Sequence, residues 1–358
     1  ALYQPSLLKA RFRKFVAYYL ARLGLPMLWT PWIMCVSYKK RPSVPKGLHA
    51  ILGNCFGADF ELALFTGTPG YLRKPTIQIM DASGSILGYC KMAENSQTRV
   101  VVENEANAIK LLTGLDLGDT IVPNIIFSGE TSDGIAVLIE STQKKHLSSA
   151  PLSPETIHSD FLVRLFEETK TELRFREAPV YQEIMDRISG LDGYAEEGLL
   201  LDIVDALEWS SAVVDSAKIP LCFAHRDFTP WNTFLAEEHL YVFDWEFGRR
   251  NWAPLCDAFH FVLQKGILVD RAGEDVLWER LSGHESKEGR FLKKCATLTG
   301  IGENVYPALL AFYFIDMITT YLFHYKGHGH TPIDGQELLG RWKGLLNRVM
   351  GKKMNLTL

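Results

Sequence analysis

The chain has 358 residues, a hydrophobic share of 47%, a charged share of 22% and a formal net charge of −4. That is the composition of a globular protein, long enough for two or three structural units or for one bilobal enzyme. Without a long basic run, nucleic acid is excluded as the main partner, since that would need a basic patch; a local basic site for an anion such as a nucleotide stays compatible with the balance.

Residues 5–24 place Leu8, Phe12, Phe15, Tyr19 and Leu23 at steps of three or four, with Lys9, Arg11, Arg13, Lys14 and Arg22 between them. This spacing predicts a helix, either packed on the main body or, as the lesser reading, touching a membrane surface. Two stretches approach spanning length. Residues 15–36 carry Arg22, Pro26 and Pro31, and residues 306–325 carry Asp316. A central charge costs about 2.5–3.5 kcal/mol in a bilayer, so both are expected to be core or amphipathic helices. No secretory leader is visible. The cysteines at 35, 55, 90, 222, 256 and 295 form no CxxC pair, which reads as reduced core thiols in a cytoplasmic protein.

Residues 47–93 read as strands. Residues 60–65 run into the turn Thr66-Gly67-Thr68-Pro69-Gly70, residues 76–80 alternate with period two, and after the turn signal at 81–84 residues 86–93 return as a strand. Residues 101–113 switch to helical spacing, with Ala106, Ile109 and Leu112 on one side, and residues 135–139 form an apolar strand. Residues 155–215 look helical, 221–247 form a short β-rich patch, and 255–350 return to helices that end with Trp342, Leu345 and Val349 at helical spacing. The expected class is α+β. It divides into an N-terminal helical extension over 1–45, a small antiparallel β-rich lobe over 46–145 and a larger, mainly helical lobe over 146–358.

The chemistry concentrates in Phe223-Ala-His225-Arg226-Asp227-Phe228-Thr229-Pro230-Trp231-Asn232, followed after eleven residues by Asp244-Trp245-Glu246. Phosphoryl transfer needs metal to neutralise the γ-phosphate and a carboxylate to orient the attacking hydroxyl and take its proton. Mg²⁺ takes oxygen ligands from carboxylates, amides and phosphates. Asp227 suits the base; Asn232 and Asp244 suit the metal. Residues 233–243 read as a hairpin that carries Asp244 back beside Asn232.

The pattern His-x-Asp-x₄-Asn, followed by an apolar residue and Asp-Trp-Glu, resembles the aminoglycoside phosphotransferase and choline kinase superfamily, with a bilobal protein-kinase-like fold. The resemblance covers the layout of roughly residues 50–345, with its strong motifs at 225–246. It implies ATP or GTP and Mg²⁺ as cofactors, Asp227 as catalytic base, Asn232 and Asp244 as metal ligands, and His225 as a loop-holding residue. Lys91 resembles the strand lysine on the α- and β-phosphates, and Glu105, with Glu103 as fallback, resembles its partner at the opening of the following helix. Gly67 and Gly70 fall where a phosphate-covering turn is expected, and the base is expected on the main chain at Ile139, Glu140 and Ser141.

Only twelve residues separate Asp244 from Asp257, which starts an apolar helix. That leaves no room for the activation segment on which a protein kinase seats a peptide. Trp245-Glu246 also replaces Phe-Gly and removes a flexible glycine. The expected acceptor is therefore a small-molecule hydroxyl: a sugar, an aminoglycoside-like compound or an amino alcohol. A kinase-fold scaffold without turnover and a protein kinase are the competing readings. Arg226 has no evident partner in the sequence. Arg249 and Arg250 are read either as surface ion-pair formers or as contacts to an anionic substrate. His324-Tyr-Lys-Gly-His328-Gly-His330 is read as a loop after the long helix rather than a zinc tract.

Overall fold

The computed structural model describes residues 46–65, 74–144, 151–282, 285–328 and 333–351. The N-terminal helix expected over 5–24, the turn with Gly67 and Gly70, Cys35 and His330 lie outside the described residues. The described chain divides into two units. The first holds the described residues up to Thr113, those from Val122 to 144, and Phe234–Tyr241; the second holds Gly114–Ile121, Pro151–Thr233 and the described residues from Val242 onward.

The first unit is built on a five-stranded antiparallel sheet: β1 (Glu61–Phe65), β2 (Thr76–Met80), β3 (Ile86–Met92), β5 (Ile125–Glu130) and β6 (Ala136–Glu140), in the order β1-β2-β3-β6-β5. Period two sorts its faces. Ile77, Ile79, Cys90, Val137 and Ile139 join Leu48 and Leu52 of helix α1 (Lys46–Phe56) in one apolar cluster. Helix α2 (Ser96–Leu112) packs on the sheet through β3, β5 and β6. Residues 47–56 are expected to be extended and are helical, because Leu48 and Leu52 stand one turn apart and can share one buried face. Likewise α2 begins five residues earlier than its apolar periodicity indicates. Asn95 accepts from the Thr98 N–H at 2.9 Å while the Thr98 hydroxyl receives the Asn95 N–H at 3.0 Å, a reciprocal cap that starts the helix at Ser96. Gly88 has a steric reason to be glycine: a Cβ there would stand 2.5 Å from the Glu140 carbonyl oxygen across the β3–β6 pair.

The second unit is mostly helical: α3 (Thr156–Thr169), α4 (Pro179–Ser189), α5 (Glu197–Ser216), α6 (Cys256–Gln264), α7 (Glu274–Ser282), α8 (Lys287–Leu298), α9 (Tyr306–His328) and α10 (Ile333–Gly351). A short strand, β4 (Thr120–Ile121), belongs to it, and β7 (Cys222–Ala224) pairs antiparallel with β10 (Arg249–Trp252). Between them in sequence, β8 (Thr233–Ala236) and β9 (His239–Val242) form the expected hairpin, most of which counts with the first unit. Helix α9 runs through the core against α4, α5, α6 and α10. It is long and apolar enough to cross a membrane by length and composition, yet most of it is buried inside the protein, as a helix apolar on all sides must be. It continues through His328, so residues 324–328 are helical and not the loop expected from their glycines. The five described cysteines are free.

Candidate active site

The segment 225–232 is held from several directions. The Asp257 carboxylate, in the first turn of α6, accepts the His225 N–H at 2.7 Å and the Arg226 N–H at 2.8 Å. Burial pushes this carboxyl up, against the pull of those contacts and of His225. His225 accepts the Asp227 N–H at Nδ1 (3.2 Å), so its other nitrogen, Nε2, carries the proton and donates to the Phe243 carbonyl at 3.0 Å. Its ring lies 4.3 Å from that of Trp245. His225 thus ties the loop to the chain entering Asp244, as expected of a structural residue.

Asn232 spends its amide hydrogens on Asp227, with Nδ2 2.9 Å from the main-chain carbonyl and 2.8 Å from Oδ2. The Phe243 N–H donates to the Asn232 carbonyl at 3.2 Å. The hairpin therefore returns Asp244 to the neighbourhood of Asn232, as its length implied. Two non-glycine residues here have left-handed backbone, Arg226 at φ 66 and Asp244 at φ 70. Such positions cost about 1–3 kcal/mol each and persist only where surroundings impose them.

The remaining oxygen of Asp227, Oδ1, lies 3.2 Å from His260 Nε2, and His260 Nδ1 lies 3.1 Å from the Tyr313 hydroxyl. Arg226 finds the partner its sequence did not show: its guanidinium meets both carboxylate oxygens of Asp316 at 3.0 and 3.1 Å and stacks 3.9 Å over the Trp252 ring. Arg187 reaches the same carboxylate at 2.6 Å. Arg249 lies 3.9 Å from Glu183, and burial, with Arg226 and Arg187 nearby, lowers its guanidinium below the ordinary value despite that glutamate. Arg250 is exposed. Asp257, His260, Tyr313 and Asp316 were not singled out as site residues from sequence. Their signal was there in part, as polar side chains inside helices that are otherwise apolar.

In the first unit, Lys91 on β3 pairs with Glu105 of α2 and also with Glu140 Oε1 at 3.2 Å, all three buried. The sheet explains this. Lys91 stands opposite Leu138, and Glu140, two residues on, presents the same face to it diagonally. Glu105 lies in the middle of α2 and not at its opening, a consequence of the earlier start at Ser96; Glu103 instead pairs with Arg99 near the surface. Around the expected base-docking segment, Ile139 and Glu140 pair with strands on both sides, the Ser141 N–H donates to Asn124, and the Ser141 carbonyl accepts from the Tyr241 hydroxyl at 3.2 Å.

A five-stranded antiparallel sheet with one packed helix carrying the partner of a strand lysine, joined to a mainly helical unit, defines the protein-kinase-like α+β fold. It is the fold of the aminoglycoside phosphotransferase and choline kinase superfamily. LicA in complex with AMP is similar with a TM-score of 0.53 at 12% identity, over 84% of this chain and 97% of that one. Choline kinase LicA from Streptococcus pneumoniae is similar with a TM-score of 0.50 at 13% identity, over 94% of this chain and 98% of that one. The GDP complex of wild-type aminoglycoside 2'-phosphotransferase-IIIa gives a TM-score of 0.50 at 12% identity, over 86% of this chain and 100% of that one. No protein-family model matches the chain, and no curated protein matches it by sequence.

Proposed function

We propose that the protein is a small-molecule kinase that moves the γ-phosphoryl group of ATP or GTP to an alcohol. The observation that carries this is the bracing of Asp227 by Asn232 and the return of Asp244 to Asn232, since base and metal donors then belong to one constellation. In this reading Asp227 accepts the proton of the acceptor hydroxyl as its oxygen bonds to phosphorus and the bond to the departing nucleoside diphosphate breaks. Lys91, oriented by Glu105 and Glu140, is the cation for the α- and β-phosphates. The base meets main chain beyond Ser141, because the groups of 139–141 cited above are already paired.

Mg²⁺ is implied by this chemistry, and the donors fit it. With both amide hydrogens of Asn232 turned to Asp227, its amide oxygen is the atom left to ligate; the hairpin brings the main chain entering Asp244 back to Asn232, and amide and carboxylate are both hard oxygen donors. Bound there, the ion would neutralise charge on the phosphates.

The acceptor is a small molecule because the chain from Asp244 to Asp257 is short and β10 draws part of it into pairing with β7. A choline kinase and an aminoglycoside phosphotransferase share the fold, so amino alcohols, aminoglycosides and sugars form the first acceptor panel. Purified protein with γ-labelled ATP or GTP, Mg²⁺ and this panel should yield a labelled small molecule, and chelation should abolish the label. Label on a protein substrate instead, or bound nucleotide that never turns over, rejects the reading.

A further inference from the structure

We infer that His260 is a positioning residue for Asp227, held at its other ring nitrogen by Tyr313; the inference rests on the assignment of Asp227 as base. Helix α6 presents Asp257 and His260 three positions apart, on one face. Asp257 fixes the main chain of the catalytic loop at His225 and Arg226, and His260 fixes the side chain two residues on, at Asp227.

The direction of each hydrogen bond follows from chemistry. An ionised carboxylate only accepts, so the nitrogen facing Asp227 Oδ1, His260 Nε2, must carry a proton. The other nitrogen, Nδ1, then accepts from the Tyr313 hydroxyl. Both residues are buried, His260 at 5% and Tyr313 at 2% exposure, so the contact between them is shut off from bulk water, while the Asp227 carboxylate keeps an exposed side. Tyr313 sits on α9, in the core of the unit, and its hydroxyl supplies the donor that the unprotonated Nδ1 of the neutral ring needs.

Asp227 is thereby gripped at both oxygens, Oδ2 by Asn232 and Oδ1 by His260. That fixes the rotation of the carboxyl group while leaving lone pairs on each oxygen for the acceptor hydroxyl. Without His260 the carboxyl would turn about its last bond. A misplacement of about 1 Å at the reacting atoms costs on the order of a hundredfold in rate.

The test combines kinetics with a measurement that needs no turnover. His260→Leu should lower kcat about ten- to a hundredfold while nucleotide Kd and acceptor KM stay within about twofold. His260→Gln, which keeps an N–H donor, should recover most of the loss. In an Asp227→Asn background His260→Leu should add nothing. Nitrogen NMR of histidine-labelled protein should show His260 protonated at Nε2 and not at Nδ1. A His260→Leu enzyme with unchanged kcat, a fall in kcat matched by His260→Gln, or an Nδ1-protonated ring in the unmodified protein would each overturn the inference. An unmodified protein that transfers no phosphate refutes the kinase reading instead, and the tautomer then decides the contact by itself.

Discussion

Arg226 and Asp316, ninety residues apart, meet in a two-oxygen ion pair inside the helical unit. The arginine next to the proposed base is thus anchored to the core helix α9, and a second guanidinium, Arg187, shares the anchor.

Removing this anchor should be costly. Asp316→Ala strands two largely buried guanidiniums, and breaking a buried pair costs about 3–5 kcal/mol. Chemical denaturation should show that loss. Burial pushes the Asp316 carboxyl up, but Arg226 and Arg187 outweigh it and hold the group below its ordinary value. The stabilisation is therefore complete above about pH 4 and lost as pH falls below that. A variant with unchanged unfolding free energy would show that the guanidiniums find other partners.

Lys91 should serve both stability and nucleotide binding. Lys91→Met takes the ammonium away from Glu105 and Glu140 and should lower stability by about 3–5 kcal/mol. It should also weaken nucleotide binding, measured by titration of the folded protein. Lower stability with an unchanged nucleotide Kd would leave Lys91 a structural residue only.

His158 gives a second pH signature of the same sign, in a higher range. It is fully buried, its Nδ1 accepts the Glu155 N–H, and burial lowers its pKa to about 4. The unfolded chain takes up a proton near pH 6.5 that the folded chain refuses until about pH 4. Stability should be complete above about pH 6.5 and fall by about 3 kcal/mol as pH drops to 4. His158→Gln should flatten that slope; an identical slope would place the titration elsewhere.

Much of the second unit was legible because its signals are local. The helical spacing of 155–215 and 255–350 needs only neighbours in sequence, as does the hairpin of 233–243, most of which falls in the first unit, and the order of Asp227, Asn232 and Asp244 carried the site. What was not legible depends on distant chain. The extended reading of 47–56 failed because its apolar residues fit either period, and the sheet cluster around Ile77 and Ile139 decided for helix. The start of α2 was set by a two-residue cap and not by hydrophobic spacing. The partner of Arg226 sits on α9, and His260, which meets Asp227 Oδ1, sits on α6, at separations no local pattern reports. Asp316 looked like a flaw in an apolar run until its guanidiniums were seen.

The most direct measurement is turnover by Asp227→Asn beside the unmodified protein, using labelled nucleotide and an acceptor that the unmodified protein phosphorylates. A base of this kind contributes about a hundred- to ten-thousandfold, so kcat should fall by that factor while nucleotide Kd is unchanged. A variant that turns over within a few-fold of the unmodified protein would contradict the assignment of Asp227 as the base.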